Sequence, residues 1–277
     1  MIELIGMIGM LPWLEMSAGP ILIAGGVVGA TGLIIGLLLG LAAKKLSVEV
    51  DNRITAVREC LPGSNCGGCG FAGCDACAEA IVKGEAPVNA CAGGDSAKIA
   101  GIMGADAVEQ VKKVAFVQCS GTCDKTKVKY RYQGIPDCRK LALIPGHGEK
   151  ECIYGCMGYG SCVRACKFDA IHIVNGVALV DREKCVGCGA CVRVCPNNLI
   201  VIRPYESKYA VACSSRDKGK EVKEKCTTGC IGCGLCVKQC EEGAIVLENN
   251  IARIDTEKCV GCGKCASKCP QKIIVMM

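Results

Sequence analysis

From Ile21 to Ala43 the chain reads ILIAGGVVGATGLIIGLLLGLAA, 23 residues without a charge. That is long enough to cross a bilayer as one helix with some tilt. Gly25, Gly29, Gly32, Gly36 and Gly40 fall at three- and four-residue spacings and would leave a smooth stripe for a close helix neighbour. Beyond this span the apolar runs are short. A helical stretch is expected after the cysteine group that ends at Cys91, running to about Lys113, with a strand following at Val114-Ala115-Phe116-Val117. Ile171–Val174 should turn at Asn175-Gly176 into Val177–Val180, because Asn-Gly is the strongest two-residue hairpin signal. A second hairpin would use Asn249-Asn250, residues that also tolerate positive φ. The pattern predicts an α+β chain: a single N-terminal transmembrane helix followed by small cysteine-rich domains.

Composition changes this picture more than periodicity does. Of 277 residues 27 are cysteine, against one Trp, six Tyr, three Phe and two His. So few aromatic side chains cannot fill an ordinary core at this length, since they carry the largest apolar areas. High cysteine density usually means a disulfide scaffold, but that class is short and secreted, and the count here is odd. Two histidines leave thiolate as the only abundant soft ligand. Cofactors must organise the interior. The formal net charge of +6 counts the cysteines as neutral. A four-iron cluster on four thiolates adds about −2, so five of them would bring the chain to roughly −4. No basic arm points to nucleic acid.

Lys44 and Lys45 follow the apolar span, whereas residues 1–20 hold Glu3 and Glu15 and no Lys or Arg. The positive-inside rule then puts 1–20 outside, 21–43 in the cytoplasmic membrane and everything after Lys44 in the cytoplasm. After a connector (44–58), a first cluster domain is expected at 59–97. A middle region with extra cysteines (98–150) follows, then two-cluster ferredoxin domains at 151–198 and 225–277 joined by 199–224.

The last two domains repeat with an offset of 74. Cys152, Cys156, Cys162, Cys166, Cys185, Cys188, Cys191 and Cys195 map onto Cys226, Cys230, Cys236, Cys240, Cys259, Cys262, Cys265 and Cys269 without a gap. Cys185-x2-Cys188-x2-Cys191-x3-Cys195-Pro196 is the bacterial ferredoxin run. Its three close thiolates wrap one four-iron cube, and the fourth reaches a neighbouring cube. The partner run departs from the pattern, with Tyr159 standing where the second copy has Cys233. Cluster one is therefore assigned to Cys152, Cys156, Cys162 and Cys195, and cluster two to Cys185, Cys188, Cys191 and Cys166. Clusters three and four are Cys230, Cys233, Cys236, Cys269 and Cys259, Cys262, Cys265, Cys240, which leaves Cys226 spare. The alternative has Cys226 ligating as Cys152 does and Cys233 free. Zinc is the competing occupant of four-cysteine sites, but crossed ferredoxin runs do not fit it.

The first group, Leu61-Pro62-Gly63-Ser64-Asn65-Cys66-Gly67-Gly68-Cys69-Gly70-Phe71-Ala72-Gly73-Cys74 and then Cys91, has C-x2-C-x4-C-x16-C spacing. Its glycines permit tight turns and let N–H groups approach cluster sulfides. Cys66, Cys69, Cys74 and Cys91 make a fifth [4Fe-4S] site, with Cys60 and Cys77 as small buried hydrophobes. Cys119, Cys123, Cys138 and Cys213 remain, and either form a sixth cluster or stay as thiols.

A one-span anchor with a basic flank, the LPGxNCGxCGxxGC…C domain and a ferredoxin array resemble the B subunit of the Rnf complex, across essentially the whole chain. Two ferredoxin pairs resemble the longer, clostridial-type version. That family is a membrane-bound, ion-translocating ferredoxin:NAD+ oxidoreductase. The resemblance implies a translocase component that takes electrons from reduced ferredoxin and passes them to membrane subunits. Flavin and nicotinamide chemistry would lie on other subunits, since no strand-linked G-x-G-x-x-G is present here. The alternative is a membrane-anchored polyferredoxin serving a hydrogenase or dehydrogenase without ion pumping. Lys125, Lys127, Lys129 and Arg131 alternate with Val128, Tyr130 and Tyr132. On a strand the four cations would share one face, suited to an acidic ferredoxin. Arg216, Lys218, Lys220, Lys223 and Lys225 form a second basic group.

Overall fold

The chain is described by a computed structural model over residues 18–45, 51–106 and 111–277. Its first helix, α1 (Ala18–Lys45), has 28 residues and ends on Lys44 and Lys45. The stretch Leu22–Ala42 is long and apolar enough to cross a membrane. Its leucines, isoleucines and valines stand exposed, and the one hydroxyl, on Thr31, donates back to the Val27 and Val28 carbonyls. A polar group satisfied within its own helix is what a lipid environment demands. The segment expected outside the membrane lies, but for its last three residues, beyond the described residues. Helix α1 and the described residues of 52–277 belong to two separate units.

The second unit opens with α2 (Asn52–Glu59), α3 (Cys74–Val82) and α4 (Ser96–Met103). They close on a small core of Val57, Leu61, Cys77, Ala78, Ile81 and Ile99. The helix expected to run to Lys113 stops at Met103. Gly104 takes the left-handed conformation there, at φ 63° and ψ 26°, the usual glycine stop.

Next come β1 (Lys113–Val117), α5 (Cys138–Leu141), α6 (Ser161–Ala165), β2 (Ile171–Val174), β3 (Val177–Val180), α7 (Ala190–Val194) and β4 (Ile200–Pro204). The second ferredoxin-like half contains β5 (Tyr209–Val211), α8 (Gly219–Lys225), α9 (Leu235–Lys238), β6 (Ile245–Glu248), β7 (Ile251–Ile254), α10 (Lys264–Lys268) and β8 (Ile274–Met276). Among the described residues the four sheets are two-stranded and antiparallel: β1-β4, β2-β3, β5-β8 and β6-β7. The hairpins turn at Asn175-Gly176 (φ 46° and 74°) and Asn249-Asn250 (φ 49° and 66°). Positive φ at both central residues is the type I′ turn that matches strand twist.

Each half has its own core, and cysteines belong to both. Cys156, Cys162, Cys185 and Cys191 pack with Val114, Ile171, Leu199 and Ile200; Cys230, Cys236 and Cys265 pack with Val211, Ile245, Ile254 and Ile274. The expected strand at Lys125–Tyr132 does not form. Thr126 bridges Cys226 and Val128 bridges Lys150 as isolated pairs, and Val128 remains 53% exposed. With no continuous partner strand, alternation loses its meaning there. Lys125, Lys127, Lys129 and Arg131 are nonetheless all exposed.

Candidate metal centres

Four short helices aim the central thiols. Gly160, Gly189, Gly234 and Gly263 precede α6, α7, α9 and α10 with φ of 68°, 73°, 71° and 77°. A left-handed residue reverses the chain sharply where a side chain would be strained. The helices thereby turn Cys162, Cys191, Cys236 and Cys265 inward, all buried.

Three hollows are each lined by four cysteines in the groups named from spacing. Cys166, Cys185, Cys188 and Cys191 surround one, with Phe168, Ile171 and Ile202. Cys230, Cys233, Cys236 and Cys269 surround the second, and Cys240, Cys259, Cys262 and Cys265 the third. A fourth hollow differs from expectation: its cysteines are Cys138, Cys156, Cys162 and Cys195, without Cys152. The cause lies in α5. Asp137 accepts from Arg164 at 2.9 Å, and the Cys138 N–H donates to the Ser161 hydroxyl at 2.9 Å. These bonds fasten α5 beside α6 and carry Cys138 to Cys162. Cys152 faces another cavity instead, with Cys119, Cys213 and Cys226. The grouping Cys119, Cys123, Cys138 and Cys213 is not brought together: Cys123 is exposed and lies by the Gly176 turn. The spacing signal could not show Cys138, which lies outside the repeat. Tyr159, standing where the second copy has Cys233, marks only that this run departs from the standard one.

In the N-terminal domain, Asn65 accepts from the Cys74 N–H at 2.8 Å. Cys77 sits beside Cys69, Cys74 and Cys91, and its thiol is pushed up to about 12, first by burial and then by hydrogen bonding to Cys69. Cys66 stands against Cys188 of the next domain, where Arg193 also donates to the Cys66 carbonyl at 3.1 Å. A Cβ on Gly68 would come 2.5 Å from the Cys188 carbonyl oxygen, so only glycine allows this approach.

Burial, followed by neighbouring cysteines, raises Cys162 and Cys191 to about 12. Burial also raises Cys236 to about 11. Such thiols keep their protons at neutral pH until a positive core compensates the thiolate charge. Backbone donors are already in place: the Ala115 N–H lies 3.4 Å from Cys185 Sγ, and the Leu199 N–H 3.5 Å from Cys195 Sγ. Among the described residues, no group of three or more His, Cys, Asp or Glu is placed to hold a lone metal ion. Four of the donor sets are all thiol and ranged around largely apolar hollows. That chemistry fits iron–sulfur clusters, which such residues hold by thiolate ligation and N–H···S bonds.

Comparison with known proteins gives the same chemistry. A family model for an Fe-S cluster matches residues 61–92, a 4Fe-4S binding domain matches 178–201, and a 4Fe-4S dicluster domain matches 229–273. The B subunit of the Na(+)-translocating ferredoxin:NAD(+) oxidoreductase complex of Acetobacterium woodii is 48% identical over 242 residues, covering 86% of this chain and 72% of that protein. The B subunit of the proton-translocating ferredoxin:NAD(+) oxidoreductase complex of Clostridium ljungdahlii is 45% identical over 229 residues, 81% of this chain and 80% of that one. The B subunit of the ion-translocating oxidoreductase complex of Methanosarcina acetivorans is 42% identical over 236 residues, 84% and 89% of the two chains. With identities this high over most of each protein, the chain belongs to the B-subunit family of the ion-translocating ferredoxin:NAD+ oxidoreductase (Rnf) complexes.

Proposed function

We propose that this iron–sulfur protein accepts electrons from reduced ferredoxin and delivers them to the membrane subunits of its complex. In this reading α1 anchors it by one pass in the cytoplasmic membrane, with residues 52–277 on the cytoplasmic side. The 74-residue repeat reflects duplication of a two-cluster ferredoxin domain. Five [4Fe-4S] clusters would be held by Cys66, Cys69, Cys74, Cys91; by Cys138, Cys156, Cys162, Cys195; by Cys166, Cys185, Cys188, Cys191; by Cys230, Cys233, Cys236, Cys269; and by Cys240, Cys259, Cys262, Cys265. When bound, such clusters take up and release single electrons over a potential range set by hydrogen bonds and solvent exposure.

The observation that carries this reading is the contact between neighbouring donor sets. Gly68, between Cys66 and Cys69, lies against the Cys188 carbonyl, and Arg193 donates to the Cys66 carbonyl at 3.1 Å; α6, which carries Cys162, packs on α7, which carries Cys191. In this reading the chain spaces its sites in succession among apolar side chains and serves as a relay. Flavin and NAD would be handled by partner subunits.

The test uses anaerobic membranes containing the assembled complex. Reduced ferredoxin should bleach the visible absorbance of this protein and give low-potential EPR signals, with protease cleaving 52–277 only from the cytoplasmic side. A chain that purifies with a hydrogenase or dehydrogenase and no ion-translocating partners would favour the polyferredoxin alternative. Cleavage from outside would overturn the topology.

A further inference from the structure

A cavity of ≈ 450 Å³, counted with its open solvent, lies between the two ferredoxin-like halves and is lined by Cys119, Cys152, Cys213 and Cys226. None of the four falls within the segments matched by cluster-binding families, 61–92, 178–201 and 229–273.

The two halves contribute alike. Cys119 follows β1 by two residues, and Cys213 follows β5 by two. Cys152 and Cys226 each stand four residues before a cysteine of a neighbouring set, Cys156 and Cys230. The Cys156 N–H donates to Cys119 Sγ at 3.3 Å, and the Cys230 N–H donates to Cys213 Sγ at 3.3 Å. Such N–H···S bonds also reach Cys185 and Cys195 in the ferredoxin sites. The Ser215 N–H adds a second bond to Cys213 at 3.4 Å, and the Thr126 hydroxyl lies 3.6 Å from Cys226 Sγ. A Cβ on Gly121 would stand 3.6 Å from the sulfurs of both Cys119 and Cys226. Those two sulfurs are therefore no more than twice that distance apart.

Charge points the same way. Lys150 lines the cavity and is 8% exposed. Its ammonium donates to the Gly121 and Gly176 carbonyls at 2.8 and 2.9 Å, and no carboxylate pairs with it among the described residues. The other charges on the wall, Asp217 and Lys225, neutralise each other at 2.7 Å. A buried cation held only by neutral carbonyls is costly unless an anion stands nearby. Four thiolates around a four-iron core, carrying about −2, are such an anion.

We infer that Cys119, Cys152, Cys213 and Cys226 bind an additional [4Fe-4S] cluster that bridges the two halves. Its position gives it a purpose. Gly155 lines both this cavity and the Cys138–Cys156–Cys162–Cys195 hollow, and Cys213 touches the backbone of Cys230 in the next set. The bridging site therefore adjoins one donor set of each ferredoxin pair.

The test is iron and acid-labile sulfide counting on the full chain, purified or reconstituted without oxygen, alongside zinc analysis and Mössbauer spectroscopy. Wild type should hold about twenty-four irons, and Cys213→Ser about twenty with the remaining spectra intact. Iron near twenty in wild type, a loss of two irons, or a loss of one zinc on substitution overturns the inference. If the variant loses all its iron, alkylation of native wild type decides: the four cysteines should resist while Cys123 reacts, and reaction at the rate of Cys123 overturns the assignment. These readouts do not depend on electron transfer, so they separate failure of this site from failure of the proposed function.

Discussion

Gly232 and Gly234 both hold positive φ, 65° and 71°, yet their surroundings differ. A Cβ on Gly232 would meet the Asn250 carbonyl oxygen at 2.9 Å, whereas one on Gly234 would meet nothing within 4 Å. Gly234→Ala should therefore cost only the left-handed strain, about 1–2 kcal/mol. Gly232→Ala should cost about 1–2 kcal/mol more, because the hairpin turn must also move. Thermal bleaching of visible absorbance in anaerobic protein would rank them, and equal midpoints would show that the turn yields freely. Glycine near ligands was legible from the sequence as a need for tight turns. Which glycine faces backbone was not, since the opposing carbonyl belongs to a hairpin formed later in the chain.

At the scale of elements, local signals and long-range ones part company. The Asn175-Gly176 and Asn249-Asn250 hairpins were readable because a two-residue turn contains its own instructions. The end of α4 was missed although Gly104 marks it, because apolar residues beyond it still suggested helix. Cys138 was unreadable as a partner of Cys156, since its placement depends on Asp137 meeting Arg164 from another helix. Asp137 also accepts from the Arg139 N–H at 2.8 Å, capping α5. Burial works to raise its carboxyl, but the Arg164 bond and the N–H donors outweigh that and hold it below its ordinary value of 3.8. A lowered carboxyl stabilises the fold above its unfolded value, and that support is lost as pH falls through the folded one. Asp137→Ala should cost about 1–2 kcal/mol at neutral pH. It should also speed iron loss to a chelator by about tenfold, selectively at the Cys138 site, as followed by Mössbauer spectroscopy. Loss rates equal to wild type would separate α5 from retention of that cluster.

In the whole molecule, three small cores replace one large one, and cysteines sit in each. Stripping iron with a chelator under reducing conditions should therefore unfold residues 52–277, with loss of far-UV circular dichroism and gain of dye binding. Retention of the native spectrum would mean the apolar residues suffice alone. Reversing Lys127, Lys129 and Arg131 to Glu should slow ferredoxin-dependent reduction about tenfold at low salt, with iron content unchanged. A rate and salt dependence like wild type would place docking elsewhere. The bridging cavity also has a consequence in the time of synthesis. The donors at 66, 69, 74 and 91 emerge together, and a cluster can be delivered to them while the rest is still unmade. Cys119 and Cys152 emerge early too, but their partners Cys213 and Cys226 come only after the entire first ferredoxin-like half. A chain stalled before Cys213 would carry Cys119 and Cys152 without the partners that complete their site.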